Sequence, residues 1–440
     1  MKKIKKLLCL VFALALVLTG CAEQAANDDP VNNASDEVQN KDVKLKVMVV
    51  YDVQTFGAYM VDQWQTISDK LGYELEFENP GADTYKTKIK VALAGGELPD
   101  IFSIWGGKYL EPFIDAGAVL PVQDYIANSG ITYRDLYLTP SADNNLYVIP
   151  TQEEAYAVTF CNNDLLNKVG SKVPTNWDEL VDLVEATKAY NEANGTNLSA
   201  IGVGVKDRWV AEVLYTMVVN RLDKDAFDKM MNHEIDMTDE VFVEAARKIQ
   251  QLADMGAFPD GFMQTAASEA NEVFLSDQYI LYPHQSSLMN KYAAAMPDNL
   301  GVIQFPDLAN PADPDYAKNL MNGNGKTMPG VCISSKTQFP DEAAELALDF
   351  SEAVNTINVT QFGNPGTIKD ESLQIPEDLA PSLKDYSEMV NNATHMTSYW
   401  YASVDANIGE PWRDLVQKLY AGAVTPEDFA KEANTVFADR

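Results

Sequence analysis

The sequence predicts an α/β fold with largely parallel strands and helices on both faces of the sheets. From residue 44 onward, short apolar runs rich in β-branched and aromatic side chains alternate with longer segments of helical periodicity. Parallel strands need a crossover connection between them, and a helix usually provides it. Strands that alternate with helices are therefore typical of parallel sheets covered by helices.

The first strand is predicted in the run KLKVMVVY from residue 44, and the first helix over 55–71. YELEFE then forms a second strand, 83–94 a second helix and PDIFSIW a third strand. Later strand candidates, in order, are AYAVTF, LSAIGVG, YILYP, GVIQF and PGVCIS. Helical stretches separate these runs, as the α/β pattern requires.

Two helix starts are marked by a hydroxyl residue three positions before an acid. Thr175 precedes Asp178, and Thr425 precedes Asp428 with Pro426 between them. A threonine hydroxyl at this position accepts a hydrogen bond from a free backbone N–H of the first turn, and proline is tolerated at the first helical position. We therefore predict helices that begin directly after Thr175 and Thr425.

The N-terminus has the pattern of a secretory signal. A basic stretch, Met1 to Lys6, precedes the apolar run Leu7–Leu18, which as a helix is only about 18 Å long and too short to span a bilayer. The sequence Leu-Thr-Gly-Cys that ends at Cys21 resembles the bacterial lipobox, in which the signal is cut before a lipid-modified cysteine. We predict a signal peptide at 1–20 and a lipid anchor on Cys21.

Residues 21–41 contain almost nothing that could be buried, which predicts a flexible tether between the lipid and the folded part. About 400 residues remain, and this length favours two domains. The net charge is −32, and removal of four lysines with the signal takes it to −36. Such an acidic surface disfavours nucleic acid and anionic lipid headgroups as partners, and it fits a neutral ligand.

Catalytic and metal-binding motifs are absent from the sequence. It contains no GxSxG, HExxH, Walker or dinucleotide glycine pattern, and its three histidines lack metal-ligand spacing. Only Cys161 and Cys332 remain in the body of the chain; both lie in apolar runs, and a single disulfide between them stays open. We predict no enzyme activity, no cofactor and no metal, although 65 acidic residues leave a glycoside-hydrolase carboxylate pair open.

Six stretches taken in order resemble the family 1 extracellular solute-binding proteins, the group that includes the maltose-binding protein. They are VALAGGELPDIFSIWGG with YLEPFIDAGAVLPVQDYI; NNLYVIP with AVTFCNNDLLNKVG and VPTNWDEL; EVFLSDQYILYPHQSSL; TMPGVCISSKTQFPDEAAELALDF; THMTSYWYASV; and PWRDLVQKLYAGAVTPEDF. The resemblance covers nearly all of residues 44–440. Two departures are the charged residues of GVKDRWVAEVLY and the absence of a tryptophan at Ser286 or Ser287.

The resemblance implies a two-lobed periplasmic-binding-protein-like fold, with a mainly parallel sheet flanked by helices in each lobe and a ligand cleft between the lobes. We place lobe 1 at 42–156 plus 329–370 and lobe 2 at 157–328 plus 371–440. AVTF and GVCI would then be hinge strands, with Cys161 and Cys332 near each other.

The resemblance further implies a monomeric, lipid-anchored receptor on the outer face of the cell membrane, working with the permease subunits of an ABC transporter. Its ligand would be a carbohydrate, an oligosaccharide in particular. A receptor for a peptide, polyamine or anionic sugar remains an alternative, as do a secreted glycoside hydrolase and a surface adhesin.

Ligands of α/β sheets bind beyond the carboxyl ends of the strands, so residues that follow strands are the candidates. This rule selects Tyr51, Gln54, Trp105, Gly107, Lys108, Asp207, Arg208, Trp209, Tyr282 and His284. Paired glycines after Trp105 would let a ligand approach the backbone, whereas Lys108, Arg208 and His284 could equally be ordinary surface or structural residues.

Two further groups of candidates follow from the resemblance. Glu154 and Tyr156 lie at the first crossing between the lobes, and Trp400 and Tyr401 lie in the C-terminal aromatic segment. We favour Trp400 as the surface on which a sugar ring stacks, because indole offers the largest flat face. Trp64 and Trp177 have helical spacing to apolar neighbours and are expected in the core instead.

Overall fold

The computed structural model describes residues 42–51, 57–151, 155–308, 320–323, 329–393, 395–404 and 406–438. The predicted signal peptide, the lipid-bearing Cys21 and the tether lie outside the described residues. So do two of the candidate ligand residues, Gln54 and Glu154.

The strands, in chain order, are β1 (Lys44–Met48), β2 (Glu74–Glu78), β3 (Ile101–Trp105), β4 (Ile149–Pro150), β5 (Ala157–Asn162), β6 (Ser199–Ile201), β7 (Tyr279–Gln285), β8 (Leu300–Ile303), β9 (Leu320–Gly323), β10 (Pro329–Ile333) and β11 (His395–Ser398). Every predicted strand is present in the structure. Short 3₁₀ turns occupy Gly107–Tyr109, Asp135–Tyr137 and Ser286–Leu288.

The helices are α1 (Gly57–Leu71), α2 (Ala82–Gly95), α3 (Glu111–Asp115), α4 (Gln123–Ser129), α5 (Asn163–Lys168), α6 (Trp177–Asn194), α7 (Arg208–Leu222), α8 (Ala226–Met231), α9 (Glu240–Asp254), α10 (Ala267–Leu275), α11 (Met289–Ala295), α12 (Pro340–Phe362), α13 (Pro381–Asn391), α14 (Trp400–Ser403), α15 (Ala406–Tyr420) and α16 (Pro426–Val436). In the stretches that the structure covers, none of them has the length and apolar composition needed to span a bilayer.

The strands form two sheets. The first has the order β2-β1-β3-β10-β4, in which β1 pairs in parallel with β2 and β3 while β10 runs antiparallel to β3 and β4. The second has the order β11-β9-β5-β7-β6, and β8 adds to β5. There, β5 runs antiparallel to β7, β8 and β9, whereas β6 is parallel to β7 and β11 to β9. The fold is thus α/β with helices flanking two sheets, as predicted, but the sheets are mixed and not mainly parallel, because β10 and β5 run against their neighbours.

Each sheet has a hydrophobic core on both faces because successive residues of a strand point to opposite sides. In β3, Ile101 belongs to the cluster that contains Trp64 of α1, whereas Phe102 belongs to the cluster that contains Tyr85 of α2. Trp64 is fully buried, as the sequence predicted, and Trp177 is buried in the core of the second sheet. We refer to the regions built on the first and second sheets as lobe 1 and lobe 2; their expected boundaries stay a prediction.

The two segments expected to be hinge strands have a different place. AVTF lies in β5, which pairs with strands on both sides inside the second sheet, and GVCI lies in β10 between β3 and β4 of the first. Cys161 and Cys332 are therefore in different sheets, and both are buried, free thiols. Burial raises the pKa of each thiol far above its usual value, so both stay protonated and behave as small apolar groups.

One of the two helix starts is shifted by a residue. The Thr425 hydroxyl accepts a hydrogen bond from Asp428 N, with Pro426 at the first helical position, as predicted. At α6, however, Asn176 is the cap and accepts from Glu179 N, while Thr175 N and its hydroxyl both donate to the Glu179 carboxylate. Asparagine is as good a cap as threonine, so the spacing alone did not decide between the two neighbours.

Candidate functional site

The strand ends of the two sheets border the connections between them. In the second sheet β6, β7, β9 and β11 all end at one edge, where β5 begins, because β5 is antiparallel to both β7 and β9. In the first sheet β1, β2 and β3 end at the edge where β10 begins. The chain passes from one of these edges to the other between Thr151 and Tyr156 and between Gly323 and Pro329, and a third connection leads from Ile368 of lobe 1 to α13 of lobe 2. The carboxyl ends of the strands in both lobes therefore lie beside the interlobe connections.

At the lobe 1 edge, β3 ends in the half-buried Trp105. Gly107, with φ of 65°, turns the chain into a short 3₁₀ helix, and this left-handed conformation favours glycine. The Trp105 ring meets the Tyr109 ring edge-on at 5.3 Å between centroids and the Tyr85 ring at 6.1 Å. The end of β3 thus presents aromatic rings next to Gly106 and Gly107, whose backbone carries no side chains.

Two lysines of α2 lie over these rings. Lys86 Nζ is 5.5 Å from the centroid of Trp105, and Lys90 Nζ is 5.7 Å from that of Tyr109. An ammonium group over an aromatic face is attracted by the negative potential of the ring. We call Lys86, Lys90, Trp105 and Tyr109 the lysine–aromatic wall. Beside it, the exposed Lys108 is 3.1 Å from the Glu111 carboxylate.

A small pocket of about 150 Å³ adjoins this edge. Gly106 and Gly107 line it on one side, and Tyr137, Thr139 and Ser141 line it on the other. Backbone, hydroxyl and aromatic groups therefore surround a space that holds only part of a sugar-sized molecule.

At the lobe 2 edge, Trp209 and His284 form a second aromatic group. Trp209 is half-buried at the start of α7, and its ring centroid is 5.3 Å from that of His284 in a T-shaped arrangement. His284 is only 4% exposed and also lies 5.1 Å from the Tyr282 ring. Neither of its ring nitrogens makes a hydrogen bond of good geometry to the described residues. Burial lowers the pKa of His284 to about 4, against a smaller opposing effect of the Gln285 backbone, so the ring is neutral at pH 7.

The two edges meet at two places. The Cα atoms of the Gly107–Tyr109 turn approach those of α14 to within 8 Å, which places Gly107 and Lys108 next to the segment that contains Trp400 and Tyr401. The hydroxyl of Tyr137 in lobe 1 lies 2.8 Å from the hydroxyl of Tyr156 in lobe 2. The candidate residues of both lobes are thus brought to one interlobe region.

Trp400, which was expected to stack on a ligand, is instead fully buried. Its ring stacks with Trp412 and Phe227, both at 5.1 Å, and Tyr215 meets it edge-on at 5.8 Å. Neighbours cover the ring, so it has no face left for a sugar. The expectation failed because α7 brings Tyr215 and α8 brings Phe227 onto the Trp400 ring, and these contacts between segments far apart in the chain are not encoded in the local sequence.

Three tyrosine candidates are core residues as well. Tyr51 is buried and accepts a hydrogen bond from Trp64 Nε1, at 3.2 Å. Tyr282 is fully buried and donates to Asn271 Oδ1, at 2.7 Å. Tyr156 is also fully buried. All three rings pack in hydrophobic clusters, Tyr51 in the core of the first sheet and Tyr156 and Tyr282 in that of the second.

Asp207 and Arg208 have structural partners. The Asp207 carboxylate accepts a hydrogen bond from Ala267 N at 2.7 Å and so anchors the start of α10. The Arg208 guanidinium pairs with Asp414 and, at 2.6 Å, with Glu410 of α15. The Asp207 carboxylate is therefore engaged by a backbone N–H and the Arg208 guanidinium by two carboxylates, although both groups were expected to bind ligand.

Trp105, Gly107, Lys108, Trp209 and His284 thus remain at the facing edges, and their ligand role stays a prediction. The sequence reasoning missed Lys86, Lys90, Tyr109 and Tyr137. The spacing of Lys86 and Lys90, four residues apart on a helix, was the available signal, because such residues share one face.

Two α/β lobes joined by short crossings, with aromatic and basic side chains at facing strand ends, define a two-lobed ligand-binding protein. The chain belongs to the bacterial extracellular solute-binding proteins, whose family model matches residues 54–350. Members of this family bind solutes and are not enzymes, so this chain is a solute-binding protein without catalytic activity. Among curated protein sequences, none matches this chain.

Solved structures with the same fold include several that are described with carbohydrates. A protein from Caldanaerobius polysaccharolyticus, described in work on xylan utilization, is 23% identical over 89% of this chain and 99% of its own, with a TM-score of 0.73. An ABC substrate-binding protein from Listeria monocytogenes in complex with cycloalternan is 14% identical over 90% and 98%, with a TM-score of 0.67. A sugar transporter from Bacillus licheniformis in complex with stachyose is 16% identical over 89% and 98%, with a TM-score of 0.62. At these identities the similarity establishes the fold.

Proposed function

We propose that this protein is the extracellular, lipid-anchored receptor of an ABC importer and binds an oligosaccharide between its lobes. The observation that carries the proposal is the pair of half-buried tryptophans, Trp105 and Trp209, at the strand ends of opposite lobes. The proposed lipid anchor is Cys21, the proposed partners are membrane permease subunits, and the proposed state is a monomer on the outer face of the cell membrane.

Carbohydrate chemistry fits these two edges. A sugar ring has apolar C–H faces, which pack on flat aromatic rings, and a rim of hydroxyls, which needs hydrogen-bonding groups. Trp105 and Trp209 supply the flat rings. The neutral imidazole of His284 offers one donor and one acceptor, and the Gly106–Gly107 backbone allows close approach.

The fold neighbours support the ligand class, because the Listeria and Bacillus proteins were solved with cycloalternan and stachyose, both oligosaccharides. The two-lobed fold also supports the proposed importer role. A ligand that contacts both lobes stabilises the arrangement in which they are closed, and a membrane partner can detect that closure.

The proposal is tested by a thermal-shift screen against an oligosaccharide library, followed by calorimetry. A ligand at 100 times its dissociation constant raises stability by about 2.7 kcal/mol, a shift that is readily measured. Trp105→Ala and Trp209→Ala should each weaken binding by about 2 kcal/mol, the size of a hot-spot truncation. Tyr125→Ala is the matched control, because Tyr125 is a half-buried aromatic on α4, away from both edges.

Small-angle scattering should show that the lobes approach each other when the ligand binds. Failure of every oligosaccharide to stabilise the protein contradicts a carbohydrate ligand. Release of a cleaved product would favour the glycoside-hydrolase alternative, and a free and a bound structure with the same lobe separation would contradict the transport mechanism.

A further inference from the structure

We propose that the oligosaccharide bound by this protein carries a carboxylate, as uronic acids do, and that Lys86 and Lys90 of the lysine–aromatic wall bind it. The inference rests on the proposed carbohydrate function and narrows its ligand to an acidic class.

The geometry combines two flat rings and two cations in one surface. Lys86 and Lys90 are both exposed and one helical turn apart on α2, and each ammonium group lies above a different ring. The rings of Trp105 and Tyr109 are in turn only 5.3 Å apart. A molecule that reaches Trp105 therefore meets the Lys86 ammonium group over the ring itself, with the Lys90 ammonium group over the adjacent Tyr109 ring.

The chain is strongly acidic, yet Lys86 and Lys90 lack the ion pairs that the neighbouring lysines make. The protein has 33 basic and 65 acidic residues. Lys88, between the two on the same helix, pairs with Glu78, and the neighbouring Lys108 pairs with Glu111. Within the described segments, no carboxylate lies within 4.0 Å of the Lys86 or Lys90 ammonium group. These two cations are therefore available to a bound anion.

A uronic acid presents the two surfaces that this wall complements. Its ring carbons carry C–H groups that pack against indole, and its carboxylate lies at the edge of the ring, within reach of an ammonium group. The protein as a whole is strongly negative and repels an anionic ligand at long range. Local cations beside the binding surface offset this repulsion. A neutral sugar would not need such cations.

Calorimetry on the full-length folded protein tests the inference with charge-matched ligands. The probes are oligomers of galacturonate, glucuronate and mannuronate, each compared with its methyl ester, in which the ring is kept and the charge is removed. Neutral oligosaccharides complete the panel. The expected result is binding of at least one acid form about tenfold tighter than its ester, with an affinity that falls as salt is added.

Two variants separate ligand binding from a structural role of the lysines. The double variant Lys86→Gln/Lys90→Gln should remove the preference for the acid form and leave the affinity for the ester within about twofold. Lys88→Gln is the control for each single substitution, Lys86→Gln and Lys90→Gln, because it also removes one positive charge from α2, and it should leave the preference intact. If the double variant melts at a lower temperature yet keeps the preference, the lysines only cover the rings and the inference is wrong.

Two further outcomes separate the acidic-ligand inference from the carbohydrate proposal. Equal or tighter binding of neutral oligosaccharides, with acid forms no better than esters, overturns the acidic ligand and leaves the carbohydrate proposal standing. Binding of no member of the panel, acidic or neutral, overturns both.

Discussion

The hydroxyl of Tyr137 and the hydroxyl of Tyr156 lie 2.8 Å apart and form a hydrogen bond between the two lobes. Tyr137 ends a 3₁₀ turn of lobe 1, and Tyr156 directly precedes β5 of lobe 2. Both residues are buried, so the bond is shielded from water. A hydrogen bond is stronger in the protein interior than in water. This bond couples the lobes at the first connection between them.

Tyr137→Phe should therefore change the separation of the lobes as well as the free energy of unfolding. Removal of one hydroxyl from a buried pair costs about 1 kcal/mol, and the lobes lose one contact that holds the present arrangement. The measurement is denaturant unfolding together with small-angle scattering of the free protein. The control is Tyr386→Phe, whose hydroxyl bonds Ser286 Oγ inside lobe 2 at 3.1 Å. It should cost similar stability without altering lobe separation, and equal scattering of the two variants would contradict the coupling.

Trp400→Ala should unfold the protein more easily without altering its binding surface. Because the ring is fully buried in an aromatic cluster, its truncation should cost about 3 to 5 kcal/mol. Urea unfolding measures the loss, and calorimetry on the folded fraction should give wild-type affinity. Trp105→Ala should show the reverse, with weaker binding and a smaller loss of stability, because its ring is only half-buried. Weaker ligand binding by folded Trp400→Ala would contradict this prediction and show that Trp400 contributes to the ligand-binding site.

Stability without ligand should fall as the pH drops from 6.5 towards 4, partly because of His284. Burial lowers the folded-state pKa of His284 from 6.5 to about 4. Between these values the unfolded chain binds a proton that the folded protein does not, so acid favours unfolding by at most about 1.4 kcal/mol per pH unit. His284→Phe should lose this part of the pH dependence. Unfolding curves of both proteins across this range measure the difference, and parallel pH profiles would contradict the prediction.

Arg208 and Trp209 are adjacent in sequence and should behave differently. Arg208→Ala should leave ligand affinity unchanged and lower stability by up to about 1 kcal/mol, because the guanidinium pairs with partly exposed carboxylates of α15. Trp209→Ala should weaken binding instead. Calorimetry and thermal unfolding of the two variants make the comparison, and loss of affinity in Arg208→Ala would show that its ion pairs exchange for a ligand.

Cys21→Ser should release the protein into the medium when it is expressed in its native host. The sequence before Cys21 resembles a lipobox, and without the thiol no diacylglyceryl group can be attached. One acyl-modified residue is the only membrane attachment that the sequence predicts. Fractionation of cells and medium measures the change, and retention of the variant at the membrane would contradict the lipid anchor.

Local sequence was sufficient for the strands and for one of the two predicted helix caps. The run PDIFSIW became β3 and Thr425 became a helix cap, because apolar runs and capping hydroxyls act over a few residues. The strand-end rule also identified Trp105 and Trp209, since a residue that follows a strand lies at the sheet edge wherever the strand is placed.

Tertiary structure decided which of those edge residues are accessible. Sequence spacing could not show that Tyr215 and Phe227 cover Trp400, or that Asp414 and Glu410 hold Arg208, because these contacts join segments far apart in the chain. Nor could it place Lys86 over Trp105, which depends on how α2 packs against β3. The sequence alone determined the α/β class, the family resemblance and the strand ends. Only the packing of distant segments determined which of the candidate ligand-binding rings belong to the core and which can meet a ligand.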